Sequence, residues 1–500
     1  MINFCLTNDL SLSSRKYPNY INLHNGFIIG YEKEVEVYET SNVIILFCGI
    51  MWQGDIQQFE DIDSLIPNGQ FYAIRIDKHT NNATIITDFI ETFSIFSYVK
   101  DKKVLITNKL ISFSYKHFTL NNDWIKAAIN NVFVDRKLLK YDRVSDYPAI
   151  NNYSNDIWYT GITPINDVNM VGPGTFFTLN LSDYKTSNRL YYDARKDYID
   201  VAYDTLDKLT FDKVTSISQD ILKNNIDCVY KKYGKRLVAC LSNGVDSLHI
   251  ASILGDRIQN INVVGYGGDF FTREPSHKLS ALYELFSKGK THILDKESYD
   301  ELYNKVTLDH CDIPYNDTAL IPEIMLMKNK HENGVFLKGT FGDEIFWHDS
   351  DSGIVTAIHN LQATNLEQAE SLLEQYYCYQ PALYSKSRFE FYKSKTFMDG
   401  ILTNHYYKQK AYIRDELAIY DQLVVSPFID INLRKLMPMA DDDARNRNIL
   451  NAESQRINIS ETYIKHLNMY KGGMEESHMQ VDRMKITSKV LKCFLRKWHN

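Results

Sequence analysis

Two hydrophobic patterns divide the chain. Up to about residue 190, short apolar segments of strand length are separated by clusters of Asn, Asp, Gly and Pro. Residues 43–48 are a continuous apolar run and predict a buried strand. Residues 71–77 partly alternate after the turn signal Pro67-Asn68-Gly69, and 83–88 and 104–107 repeat the pattern. Residues 121–130 predict a short helix, and Pro173-Gly174 predicts a turn between strands at 168–170 and 175–179. Strands at this spacing predict stacked antiparallel sheets. From about residue 205 the helical period takes over. Residues 204–233 predict one or two amphipathic helices, followed by apolar runs at 237–241, 261–266, 290–294 and 335–337, with a helix at 276–287. Alternating strand and helix predicts a parallel sheet, whose ligands gather at the strands' carboxyl ends. The expected organisation is two domains, 1–195 and 205–500.

The segment 236–254, RLVACLSNGVDSLHIASIL, concentrates the chemistry. A strand-length run ends in Leu241. A small polar turn follows, Ser242-Asn243-Gly244-Val245-Asp246-Ser247, and then apolar residues at helical spacing. The first N–H groups of a helix lack internal partners and carry the positive end of its dipole, so this geometry collects anions. Gly244 allows close backbone approach, Asn243 tolerates positive φ, and Ser242 and Ser247 add hydroxyl donors. Asp246 would repel phosphate unless it holds a magnesium ion that bridges to it. A core helix capped by Ser242 or Asp246 would give the same local pattern. Further on, the run 335–337 ends in Lys338-Gly339-Thr340-Phe341-Gly342-Asp343-Glu344, again a strand, a glycine turn and an acid pair.

Composition narrows the classes. A chain of 500 residues exceeds one ordinary core, and a net charge of −7 argues against a general nucleic-acid binder. Seven scattered cysteines form no CxxC pair, as expected for reduced thiols in a cytosol. No apolar stretch reaches bilayer length, and the start lacks the pattern of a secretory signal. A cytoplasmic protein without membrane contact is expected.

Ser242-x-Gly244-x-Asp246-Ser247 resembles the pyrophosphate-binding loop of the PP-loop ATP pyrophosphatases, with Asn243 in place of the first glycine. The segment 335–344 resembles the Leu-Ser-Gly-x-Gly-x-Asp-Glu stretch of the asparagine synthetase family. Gly69-Gln70-Phe71-Tyr72-Ala73 with Asp77, Thr87-Asp88 before Phe96-Ser97-Tyr98, and Ile106-Thr107-Asn108 resemble that family's amino-terminal domain. Ser426-Pro427-Phe428-Ile429-Asp430 resembles its Arg-x-Pro-Phe-Leu-Asp, without the arginine.

The resemblance implies an Ntn-hydrolase-like α+β sandwich followed by an α/β PP-loop synthetase domain with a parallel sheet and many helices. It implies ATP and Mg2+ as cofactors. Asp246 and Asp343 would hold the metal, and Leu241, Ser242, Asn243, Gly244, Val245, Asp246, Ser247, Val264, Gly265, Gly339 and Thr340 would line the nucleotide site. Lys471, in Lys471-Gly472-Gly473, would be the catalytic lysine; a surface-loop lysine is the plainer alternative. His292 is expected to be structural. Glutamine-using members carry a cysteine directly after the initiator methionine, whereas this chain has Ile2, with Cys5 as the nearest thiol. A glutaminase-like shell without glutaminase chemistry is therefore expected.

The shared reaction joins a carboxylate and an amine, with ATP cleaved to AMP and pyrophosphate. Members without a working glutaminase use an amine already on the substrate, as in β-lactam synthetases and lasso-peptide macrolactam synthetases. The β-lactam formers have a tyrosine three residues before the second aspartate; here that residue is Thr340, a poor general base. An α-amine, with a pKa of about 8, needs little help to attack. The leading expectation is lasso-peptide macrolactam closure, with a precursor peptide as substrate and a leader peptidase and leader-binding protein as possible partners. The alternatives are an amidating or β-lactam-type ligase on a small carboxylate, and a non-catalytic nucleotide-binding scaffold. The aromatic-rich stretch 350–415 is a candidate peptide groove or ordinary helix packing. The basic amphipathic end, with Val490, Leu491, Phe494, Leu495 and Trp498 on one face, is expected to pack on the synthetase domain, with docking of a processing partner or a membrane touch as the alternatives.

Overall fold

The computed structural model describes residues 2–121, 163–192, 208–241, 245–257, 260–263, 290–293, 333–342 and 422–440. The helix expected at 121–130, from residue 122 on, the helix expected at 276–287, the aromatic stretch 350–415 and the basic end lie outside them.

Twelve described strands make two antiparallel sheets. The first holds β1 (Phe4–Thr7), β2 (Asn19–Asn22), β3 (Ile28–Tyr31), β8 (Phe96–Lys100), β9 (Lys103–Thr107) and β10 (Asn169–Met170), in the order β10-β8-β9-β1-β3-β2. The second holds β4 (Glu36–Glu39), β5 (Val43–Met51), β6 (Gly69–Asp77), β7 (Asn82–Thr87), β11 (Thr175–Asn180) and β12 (Thr186–Leu190), in the order β12-β11-β7-β6-β5-β4. Phe4, Leu6 and Ile29 of the first sheet meet Leu46, Tyr72, Ile74 and Ile85 of the second in one buried cluster, and the Phe4 and Tyr72 rings lie 5.0 Å apart.

The run at 43–48 is apolar throughout because β5 is covered on both faces. Ile44, Leu46, Cys48 and Ile50 enter the shared core. Val43, Ile45, Phe47 and Met51 enter a second cluster with Phe59 and Phe71. Strand alternation places these two sets on opposite faces.

Beyond residue 208, α1 (Phe211–Tyr233) presents Phe211, Val214, Leu222, Ile226 and Val229 as a buried stripe at helical spacing, and ends at Gly234 with φ 46°. It begins seven residues later than the expected 204. Five described strands then form a parallel sheet, β15-β14-β13-β16-β17. They are β13 (Leu237–Leu241), β14 (Asn260–Val263), β15 (Lys290–Ile293), β16 (Val335–Leu337) and β17 (Val424–Val425). His292 lies in β15. Helix α2 (Val245–Leu254) follows β13, and α3 (Ile431–Met439) follows β17. Among the described residues no helix is long and apolar enough to cross a membrane.

One buried cluster runs from the antiparallel sheets into the parallel one. Trp52 Nε1 donates to Ile429 O at 2.5 Å, Tyr233 Oη and Lys232 Nζ donate to Gly49 O, and Ile431 N donates to Asn68 Oδ1.

Candidate functional site

The order of the parallel sheet locates the site. From β13 the chain moves outward to β14 and β15 on one side, whereas β16 and β17 lie on the other. The winding reverses between β13 and β16, which pair directly, with Leu237 opposite Val335 and Ala239 opposite Leu337. In an open parallel sheet the crevice beyond the strand ends at such a reversal is where ligands bind. Leu241 ends β13 there, and Leu337 ends β16.

Two turns meet at this crevice. The first turn of α2 contributes Asp246, half-buried, and Ser247, buried; His249 is buried one turn later. The turn after β16 lies directly against them. A Cβ on Gly339 would stand 2.7 Å from Ser247 N and 2.8 Å from Asp246 Cβ. A Cβ on Gly342 would stand 2.6 and 2.7 Å from the two carboxylate oxygens of Asp246. Both positions therefore need glycine for close approach. Between them Phe341 is fully buried with φ 80°, a backbone state that non-glycine residues seldom adopt and that clusters at functional sites.

The end of β17 completes the arrangement. Lys338 N donates to Val425 O at 2.9 Å, and Ser426 Oγ donates to Thr340 O at 2.5 Å. Asp430 has a structural part: its Oδ1 accepts from Asn432 N at 2.6 Å and Leu433 N at 3.2 Å, capping α3, while Oδ2 accepts from Asn225 Nδ2 at 3.0 Å. Burial raises its carboxyl above the usual range against those hydrogen bonds.

Of the residues singled out from the sequence, Leu241, Val245, Asp246, Ser247, Gly339 and Thr340 belong to these strand ends and turns. Ser242, Asn243, Gly244, Val264, Gly265, Asp343 and Lys471 lie outside the described residues. Among the described residues no group of three or more His, Cys, Asp or Glu could hold a metal ion. Gln70, Lys338 and Ser426 were not singled out by chemistry. Lys338 had one available signal, a charged residue that continues a buried apolar run and is itself 3% exposed.

In the antiparallel region, Cys5 sits in β1 between Gly30 of β3 and Thr107 of β9 and is 2% exposed. Burial pushes its thiol up to about 12, so it holds almost no thiolate at neutral pH. Ile2 is buried too, its carbonyl accepting from Tyr72 Oη at 2.7 Å and Asn108 Nδ2 at 3.3 Å. Cys5, Cys48, Cys228 and Cys240 are thiols.

Comparison with known proteins finds no matching family model and no curated relative.

Proposed function

We propose that the chain is an ATP-dependent carbon–nitrogen ligase that activates a carboxylate with release of AMP and pyrophosphate. The observation that carries this reading is the packing of Asp246, in the first turn of α2, against the Gly339–Gly342 turn at the reversal point of a parallel sheet. Open N–H groups at a helix start attract the phosphates of a nucleotide, and two glycines let backbone approach without side-chain obstruction. The donor chemistry fits magnesium, which takes oxygen ligands, needs only one or two from protein and fills the rest with phosphate and water. Asp246 would hold it, with Asp343 as the second carboxylate. When bound, the ion neutralises phosphate charge. Lys471 would stabilise negative charge that develops as pyrophosphate leaves.

The antiparallel sheets have the layered form expected of a glutaminase-like domain, here without glutamine hydrolysis. The amine then comes with the substrate, and macrolactam closure of a lasso-peptide precursor is the favoured reaction, in a cytoplasmic setting. Thr340 supports this over β-lactam closure, because its hydroxyl is a poor base and its carbonyl is taken up by Ser426.

The test supplies ATP, magnesium and candidate carboxylates, and reads AMP, pyrophosphate and product mass. A leaderless peptide that loses one water with its N-terminus blocked is the expected product. Asp246→Asn is expected to keep the fold and to lose AMP formation; full activity in that variant overturns the site. AMP release supported only by a small carboxylate would move the substrate to the amidating or β-lactam-type alternative.

A further inference from the structure

We propose that Gln70, in the antiparallel region, is a positioning residue for the nucleotide loop of the parallel sheet, a role that rests on the ATP-binding reading of the crevice. Gln70 is completely buried at the start of β6. Both ends of its amide are engaged by one strand end. Nε2 donates to Val424 O at 2.5 Å, and Oε1 accepts from Ser426 N at 2.9 Å. The side chain thus acts as a ladder partner for β17, the last strand in the sheet's order.

Ser426 passes the constraint on. Its backbone is held by Gln70, and its hydroxyl donates to Thr340 O. Thr340 lies between Gly339 and Phe341, in the turn whose glycines back onto Asp246. Gln70, Ser426, Thr340 and Asp246 form a continuous path from one region to the other. Every member up to Thr340 is joined by a direct hydrogen bond, and the last step is van der Waals contact at Gly339 and Gly342. Gln70 and Ser426 are both 0% exposed, so water does not readily take the place of a lost partner. Only an amide supplies a donor and an acceptor at this spacing: glutamate keeps the acceptor for Ser426 N but loses the donor to Val424 O, and leucine loses both. A left-handed Phe341 needs its surroundings to over-determine it, and the Ser426 hydrogen bond to the preceding carbonyl does part of that.

The experiment compares Gln70→Leu, Gln70→Glu, Ser426→Ala and the double variant Gln70→Leu/Ser426→Ala with the full wild-type chain. Three quantities are read: Tm, amide hydrogen exchange of residues 338–342 without nucleotide, and kcat and KM for ATP with magnesium. Gln70→Leu is expected to remain folded, to speed exchange at 338–342 by about tenfold and to raise KM for ATP by about tenfold, the order expected when buried hydrogen bonds to β17 are lost. Ser426→Ala should do nearly the same, Gln70→Glu should fall between, and the double variant should be no worse than the more severe single, because both act on one path. Wild-type exchange and wild-type KM in a Gln70→Leu protein of lowered Tm would reduce the residue to simple packing and overturn the proposal, as would single effects that multiply in the double variant. If Gln70→Leu does not fold, Ser426→Ala and Gln70→Glu carry the same comparison: unchanged exchange in both overturns the relay. If the wild type binds no ATP, the nucleotide reading fails by itself, and exchange at 338–342 still decides whether Gln70 holds the loop.

Discussion

The antiparallel sheets and the parallel sheet handle buried polarity in opposite ways. In the antiparallel region most of it closes on itself, Gln70 and the Trp52 indole apart, which reach Val424, Ser426 and Ile429. Glu32 accepts from Asn3 N and Nδ2 and pairs with Arg15 at 2.5 Å. Asp88 accepts from Phe71 N, Ile90 N, Thr92 N and the Thr92 hydroxyl, and so ties down the turn after β7. Cys5 and Cys48 are thiols kept from ionising by burial. In the parallel sheet β13, β16 and β17 are apolar, and Asp246, Ser247, Lys338, Thr340 and Ser426 collect beyond their carboxyl ends. The contrast separates polarity that serves architecture from polarity that faces a crevice.

The sharpest way to break that contrast is Gly342→Ala. Its Cβ would press on the Asp246 carboxylate from within hydrogen-bonding range. Displacing a group at the reacting centre by about 1 Å costs about a hundredfold in turnover, and overpacking costs about 1–3 kcal/mol of stability. Steady-state AMP formation and denaturant unfolding check the two effects. Wild-type turnover would show that the glycine turn does not set the position of Asp246.

Trp52→Phe tests whether the two regions stand or fall together. It leaves Ile429 O without the indole donor, and a buried acceptor that loses its partner costs about 1–3 kcal/mol. Calorimetry is expected to show a lower Tm with a single transition, because the buried core is continuous. Two separated transitions would make the regions independent.

A smaller effect tests closure within the antiparallel region. Desolvation by burial pushes Asp88 up to about 6 against its hydrogen bonds. Between its unfolded value of about 3.9 and about 6 the folded state binds the extra proton, so stability from this group falls as pH rises through that window and is flat above it. The slope is at most about 1.4 kcal/mol per pH unit. Asp88→Asn should flatten it, and should cost stability at every pH because an amide NH2 would face N–H donors. An unchanged slope in the variant would assign the pH dependence elsewhere.

The smallest expected change is Cys5→Ala, about 1 kcal/mol or less for a small buried hydrophobe. ATP turnover should be unaffected, and glutamine should yield no glutamate with either protein. Glutamate release that disappears in Cys5→Ala would reverse the assignment of this thiol.

How much of this was legible in one dimension depended on how locally each feature is specified. The strands at 237–241 and 335–337 and the glycine turn after the second are announced by short apolar runs that end in small residues. Runs such as 43–48, 71–77 and 104–107 are equally plain, because β-branched and aromatic residues crowd a strand buried on both faces. β2 and β4 carry no such run: their residues are mostly exposed, and pairing with β3 and β5 makes them strands; β1 and β3, though largely buried, are too short to stand out in the sequence. Asp430 looks from sequence like part of a motif, and its contacts make it the cap of α3.

By itself the sequence determined which segments bury a face, where backbone can come close, and which acids follow a glycine-bearing strand end, because these depend on residue type and short spacing. Tertiary structure alone decided that β13 and β16, distant along the chain, lie side by side. It placed Gly339 and Gly342 on Asp246, and it let Gln70 from another sheet hold Ser426. Register between strands and the contact of a side chain with a carbonyl some 350 residues away (Gln70 with Val424 O) are set by the packing of the whole core. No local pattern encodes them, since the same amide elsewhere on an exposed strand would simply bond to water.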